Sequence, residues 1–280
     1  MTTITHILLL LLFIKHMEKI AISFQKNSSK SLEKHTFLKH YIQTLEEWNI
    51  DNILKTNISI IYPMRYEHYK LINDNKELLK KNKIKYLVPD MRIATIFKYK
   101  NKFVDWMIEN DFKQYIPVKY NKIILPCVVK SINRCNGKGI KIIENQSDAN
   151  NLKMQNYLIQ EYIPGKYEYA THVLCKNGDI IMHKTNKYIF DTIGNVNNSK
   201  KNKITAKKKI EKEILEIFKI ILKRANWNSF CCIDYRIVKN SKNEIKLKIF
   251  EINERIGGTL IRNSEELQPF LEKYIELCNH

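Results

Sequence analysis

The sequence predicts a mixed α/β protein: a small parallel αβ domain followed by a larger, mostly antiparallel α+β part. Three observations predict it. Up to about residue 90, apolar β-branched runs alternate with helical stretches, the pattern of a parallel sheet. After Pro117 the strands come closer together and are separated by turn signals such as Asn177-Gly178, as in hairpins. Near the end, Cys231–Arg236 and Phe250–Asn253 read as two strands flanking the turn-rich Asn240–Glu244, a hairpin over residues 230–253.

The elements follow in order. Lys19–Phe24 is a strand, with a helix expected over about 31–48. Ile58–Tyr62 is a strand stopped by Pro63, then a helix over about 66–82, then the strand Ile84–Val88 stopped by Pro89. A helix is expected over about 100–110. Ile123–Lys130 is a strand leading into the loop Ser131–Gly139, and residues 140–143 and 147–155 give a short strand and a helix. Tyr157–Tyr162 is a strand ending at Pro164-Gly165, and 168–175 and 179–187 form a hairpin. A helix over about 205–224 buries Ile210, Ile214, Ile217, Phe218 and Ile221, and the last helix spans about 264–277. The expected domains are 17–92 and 93–280, the second divided into 118–165 and 166–280.

At 280 residues the chain is long enough for one large or two small cores. The +19 charge raises the question of nucleic acid, but no nucleic-acid module is present, and Lys, Ile, Asn and Tyr, all with A/T-rich codons, are abundant together. No nucleic-acid partner is expected. The six cysteines contain no CxxC pair, which fits reduced thiols and a cytoplasmic protein. The apolar run Ile7–Ile14 is shorter than the roughly 20 residues of a membrane span.

The hairpin carries the chemistry. With its loop at Ser241–Glu244, Asp234 faces Glu251, their Cβ atoms about 5 Å apart. Strand alternation adds the amide of Asn253 to the same face. Two carboxylates that close repel unless a cation neutralises them, and a set of hard oxygen ligands suits Mg2+. Against this stands an ordinary solvated hairpin face. Further upstream, Lys130 before Asn136-Gly137-Lys138-Gly139 can offer a cation and backbone N–H groups to phosphate, although it forms no Walker loop. Gln160-Glu161-Tyr162-Ile163-Pro164-Gly165 ends a strand with an apolar wall suited to adenine, and Glu168 follows as a possible acceptor for ribose hydroxyls.

These segments, in this order, resemble the ATP-grasp superfamily of carboxylate–amine ligases, which includes the carbamoyl phosphate synthetase large chain. The resemblance covers about residues 95–262 and rests jointly on QEYIPG…E, the IDY strand and EINERIGG. It implies an ATP-grasp fold, ATP as substrate, and one or two Mg2+ ions, with Mn2+ able to substitute, on Asp234, Glu251 and Asn253. It implies phosphate contacts from Lys102, Lys130 and the loop 135–139 with Lys138 and Gly139, and a further one from Lys184 or Lys187. It assigns an adenine hinge to Glu161, Tyr162 and Ile163, ribose to Glu168, and an anionic intermediate to Arg255 with the Gly257-Gly258 backbone. Small carboxylate and amine substrates and a homodimer are expected. Two other readings remain open here: a small-molecule kinase using the same pocket, and a non-catalytic basic binding protein.

Overall fold

The computed structural model describes residues 20–22, 42–43, 48–56, 58–132, 139–152, 156–190, 204–239 and 245–280. They fall into two compact units, one from the described residues up to Val88 with Gly258–His280, the other Pro89–Gly257. The final helices therefore group with the amino-terminal part, whereas the sequence reading placed them with the catalytic domain.

In the first unit, β1 (Ile20–Ile22) pairs in parallel with β2 (Ile42–Gln43) and β3 (Ile60–Tyr62). This is the expected parallel sheet. Of the helix expected over 31–48, residues 31–41 and 44–47 lie outside the described residues, and Ile42–Gln43 is instead a strand, paired with β1. Its β-branched Ile42 suits a pleated edge. The expected 84–88 strand is reduced to one parallel bridge, Ile60 to Lys85. Helix α1 spans Ile50–Lys55, and the helix expected over 66–82 divides at Asn75 into α2 (Tyr66–Asp74) and α3 (Lys76–Lys81). The Asn75 side chain donates back to Leu71 O, an alternative bond that favours a helix end.

The second unit begins with α4 (Met91–Lys98), which was not foreseen, and α5 (Lys100–Glu109). A four-stranded antiparallel sheet follows: β4 (Lys119–Tyr120), β5 (Cys127–Ser131), β6 (Ile140–Ile143) and β7 (Tyr157–Glu161), in the order β4-β7-β5-β6. The strand expected from Ile123 begins only at Cys127, because Pro126 has no N–H to give a ladder. Helix α6 spans Gln146–Asn150.

The five-stranded sheet holds β8 (Tyr167–Lys176), β9 (Asp179–Ile189), β10 (Ile204–Lys208), β11 (Ser229–Lys239) and β12 (Ile245–Asn253), in the order β10-β9-β8-β11-β12. The segment 204–208 was expected to begin a helix. It pairs antiparallel with β9, and α7 runs only over Lys212–Arg224. The remaining helices are α8 (Gly258–Ile261) and α9 (Ser264–Asn279), in the first unit.

One face of this sheet is the core. Tyr169 and Val173 of β8, Cys231, Ile233 and Tyr235 of β11, and Leu247, Ile249 and Ile252 of β12 pack with Phe97, Phe103, Met107, Phe218 and Trp227. Each fully buried large side chain contributes about 1.5–3 kcal/mol. Alternation sends the residues between them to the opposite face.

The β8–β9 turn is tight and load-dependent on glycine. Asn177 and Gly178 have φ of 52° and 80°. A Cβ on Gly178 would come 2.7 Å from Lys223 Cα and 2.9 Å from Leu222 O, both backbone atoms of α7. Gly178→Ala is expected to cost about 1–3 kcal/mol in urea unfolding, from strained φ and the forced shift of α7. A loss below about 0.5 kcal/mol, the scatter of surface substitutions, would show that α7 yields freely.

Candidate functional site

The face opposite the core is polar because β8, β9, β11 and β12 each turn every second residue toward it. Their register aligns rows across the sheet. Asn186 pairs with Ala170, Ala170 with Asp234, and Asp234 with Glu251. In the next row Lys184 pairs with His172, His172 with Cys232, and Cys232 with Asn253. The register thus carries Lys184 on the face of the carboxylates and Lys187, opposite core residue Tyr169, on the other.

Asp234 faces Glu251 as the sequence predicts, but by a different path. The outer ladder runs Lys239 to Ile245 through Tyr235 to Ile249, one residue out of the expected register. A β-bulge at Phe250 then restores the Asp234–Glu251 pair. The signal was present in the sequence. Ile249 and Ile252 are both core, so two consecutive residues between them must face away. The bulge adds an aromatic ring to the polar face: Lys130 Nζ lies 5.1 Å and the Arg236 guanidinium 5.6 Å from the Phe250 centroid. Both are within cation–π range.

Asn253 closes the metal-type cluster. Its Nδ2 donates to Asp234 Oδ2 at 3.0 Å and to Glu251 Oε1 at 3.2 Å. Burial, then the charges of Glu251 and Glu168, push the Asp234 carboxyl well above the usual carboxylate range, while Arg255 opposes this. Arg255 lies beyond the strand end at Asn253, so alternation does not place it. Lys100 Nζ approaches Glu251 Oε2 at 3.7 Å. The set is two carboxylates and an amide. Among the described residues no three or more His, Cys, Asp and Glu cluster as a metal site. The donor chemistry fits Mg2+, which takes one or two protein carboxylates and fills its other positions from phosphates and water. A divalent cation would also relieve the repulsion that raises Asp234.

Besides Lys184 or Lys187, three cations were expected from the sequence at the phosphates. Lys130 is buried, 8% exposed, and burial pushes its ammonium down to about 8, with Glu251 partly offsetting this. Lys102 is exposed, its Nζ 5.2 Å from the Tyr99 ring, whereas Lys100, two residues earlier, points its charge to Glu251. Lys138 lies outside the described residues. Gly139, at φ 75°, closes the β5–β6 loop by accepting from Ser131 N at 2.8 Å.

The hinge segment is held by Arg236, which sequence reasoning passed over although it shares Asp234's face. Arg236 Nη1 donates to Ile163 O, and Nη2 pairs with Glu168 Oε2 at 3.4 Å; both side chains are buried. The Glu168 carboxylate is thus engaged in an ion pair. Glu161 Oε2 accepts from Val118 N at 3.2 Å and lies 3.6 Å from Lys248 Nζ. Tyr162 is half-buried, and burial raises its hydroxyl. His172 was also missed. It lies four residues after Glu168 on the same face, with its Nδ1 accepting from Gly257 N at 3.2 Å.

Two antiparallel sheets, the larger bearing opposed carboxylates and ringed by lysines, define the class of fold that encloses a nucleotide and a metal. Residues 100–259 match the ATP-grasp domain, and the chain belongs to the ATP-grasp family. Solved structures agree. An L-amino acid ligase from Bacillus licheniformis is 12% identical with a TM-score of 0.64, over 92% of this chain and 74% of that one. A D-alanine–D-alanine ligase from Bacillus anthracis, solved with ATP, is 16% identical with a TM-score of 0.60, over 93% of this chain and 96% of that one. A biotin carboxylase from Campylobacter jejuni is 11% identical with a TM-score of 0.61, over 92% of this chain and 71% of that one. At these identities the likeness is one of fold. No curated protein sequence matches the chain. Among the described residues no helix is long and apolar enough to cross a membrane.

Proposed function

We propose that this protein is a Mg2+- and ATP-dependent carboxylate–amine ligase. The observation that carries the reading is the convergence of Asp234, Glu251 and Asn253 on one sheet face, beside Lys130 and Lys100. An interaction surface has no need of paired carboxylates, whereas phosphoryl transfer needs its charge neutralised.

In this reading Asp234, Glu251 and Asn253 hold the metal, which when bound supplies a positive charge for the transferring phosphoryl group. Lys130, Lys100 and Lys184 bind phosphate oxygens. The backbone of Tyr162 faces adenine, the Glu161 N–H being taken by Val118 O and the Ile163 carbonyl by Arg236. A substrate carboxylate oxygen forms a bond to the γ-phosphorus as the bond to the β–γ bridging oxygen breaks, and ADP leaves. The amine nitrogen then attacks the acyl carbon, the carbon–oxygen bond to phosphate breaks, and the nitrogen gives up a proton. Arg255 steadies the oxyanion of this second step. Residues 118–165 serve as the lid subdomain of the site.

The test is product analysis with ATP, Mg2+ and a panel of small carboxylic acids and amines. The expected result is ADP, phosphate and an amide in equal amounts for one acid–amine pair. A stable phosphorylated product without amide would replace the ligase by a kinase. No ATP binding at all would remove the enzyme reading.

A further inference from the structure

Strand β12 ends at Asn253, and the chain then leaves the sheet edge. Four residues later it is fastened two strands away: Gly257 N donates to Nδ1 of His172 on β8, and β11 lies between β8 and β12. The fit is close. A Cβ on Gly257 would stand 2.5 Å from His172 Cε1 and 2.8 Å from Cys232 Sγ. His172 is 0% exposed and Cys232 3% exposed, so neither has open space to retreat into. Glycine is required at 257 by close approach.

The contact also fixes the imidazole. Because Nδ1 accepts, Nε2 carries the proton. The atom of the buried Asn186 amide placed 3.4 Å from Nε2 is Nδ2; with Nε2 protonated the two would both be donors, so this tautomer calls for the amide group to be turned over, oxygen toward the ring. The Asn186–His172–Gly257 chain spans β9, β8 and the segment after β12. Between the metal-type residue Asn253 and the anchor at Gly257 lies Arg255, whose charge acts on Asp234. A side chain with so many rotatable bonds is useful only if its backbone is held.

We propose that His172 is a positioning residue that pins Gly257 and so holds the segment Glu254–Gly257, with Arg255, in place for the reaction. Its role in turnover rests on the ligase reading; the backbone contact itself does not. Nothing in the role of His172 requires it to touch substrate.

Two measurements separate these levels. The first needs no activity. Carbonyl-labelled isoleucine with nitrogen-labelled glycine leaves only the Ile193-Gly194 and Ile256-Gly257 pairs visible by NMR. The Gly257 amide is expected to be slow to exchange in the wild type, to lose that protection in His172→Leu, and to keep most of it in His172→Asn, whose side-chain oxygen can take the place of Nδ1. An unprotected Gly257 amide in the wild type, or unchanged protection in His172→Leu, overturns the proposal.

The second is kinetic, once wild-type turnover with a substrate pair is established. His172→Leu is expected to lower kcat about tenfold to a hundredfold with KM for ATP within about threefold, the signature of a displaced reacting group. His172→Asn should recover most of it. In an Arg255→Ala background His172→Leu should cost little more, because the two act as one unit. Additive losses, or equal losses in Leu and Asn variants with matching falls in Tm, assign His172 a packing role only and overturn the proposal. Absence of any wild-type turnover, with the amide result as expected, would remove the ligase reading and with it the role of His172 in turnover, while the backbone contact stands.

Discussion

Asp234→Asn and Glu251→Gln are each expected to lower ATP turnover by more than about a hundredfold, because even groups that only support a metal's ligands cost about tenfold to a hundredfold when removed. Stability is expected to move the other way for Asp234→Asn. Burial and the facing Glu251 raise the Asp234 carboxyl well above its ordinary range. A carboxyl raised in the folded state binds more protons there than in the unfolded chain, so its contribution to stability falls as pH rises past the unfolded value. Asparagine keeps the shape and removes the repulsion. Its Tm at pH 7 should equal or exceed that of the wild type without metal. Mg2+ with ATP should raise the Tm of the wild type and leave that of the variants nearly unchanged, since only a ligand that binds the folded state stabilises it. An inactive Asp234→Asn with a lower Tm and disordered spectra would mean the carboxylate was structural. A variant with full turnover would remove the metal assignment.

The second large effect is a pH dependence set by Lys130. Its ammonium is pushed down to about 8, chiefly by burial. Phosphates bound beside it would favour the charged form, so ATP binding near pH 8 should take up a proton. Above that pH the proton must be supplied before the contact forms, and affinity should fall by up to about tenfold per pH unit. Calorimetry in buffers of different ionisation enthalpy reads the proton directly. Lys130→Arg, charged throughout, should bind with little pH dependence between 7 and 9. Lys130→Met should bind weakly and also without the slope. The linkage has a stability side: between about 8 and the ordinary 10.5 of a lysine, the unfolded chain holds more protons at this residue than the folded one. Its contribution to stability therefore rises with pH across that window. Equal slopes in wild type and Lys130→Met would place the titrating group elsewhere.

Much of the site was legible because strands are read two residues at a time. Cys231, Ile233 and Tyr235 alternate with Cys232, Asp234 and Arg236, so the polar face of β11 followed from its apolar one. The Asp234–Glu251 pair was found despite an error in the outer register, since the bulge at Phe250 compensated for a turn one residue longer than assumed. The tract 204–208 shows the limit. Its lysines read as a solvated loop running into the helix expected from about residue 205, yet a free sheet edge beside β9 took it as a strand. Such an edge offers backbone bonds that no local propensity reports.

By itself, the sequence determined the strands β7, β8, β9, β11 and β12 and their order, the faces of the central strands, and the residue types that make a carboxylate pair. Those depend on residues close along the chain, within one strand or one hairpin. The tertiary structure decided which of several lysines reaches Glu251, that Lys184 and not Lys187 shares the carboxylate face, that Arg236 takes Glu168 and the Ile163 carbonyl, and that His172 holds Gly257. Each of these joins segments distant in sequence. In a chain with 48 lysines and arginines, only strand register and packing distinguish one cation from the next.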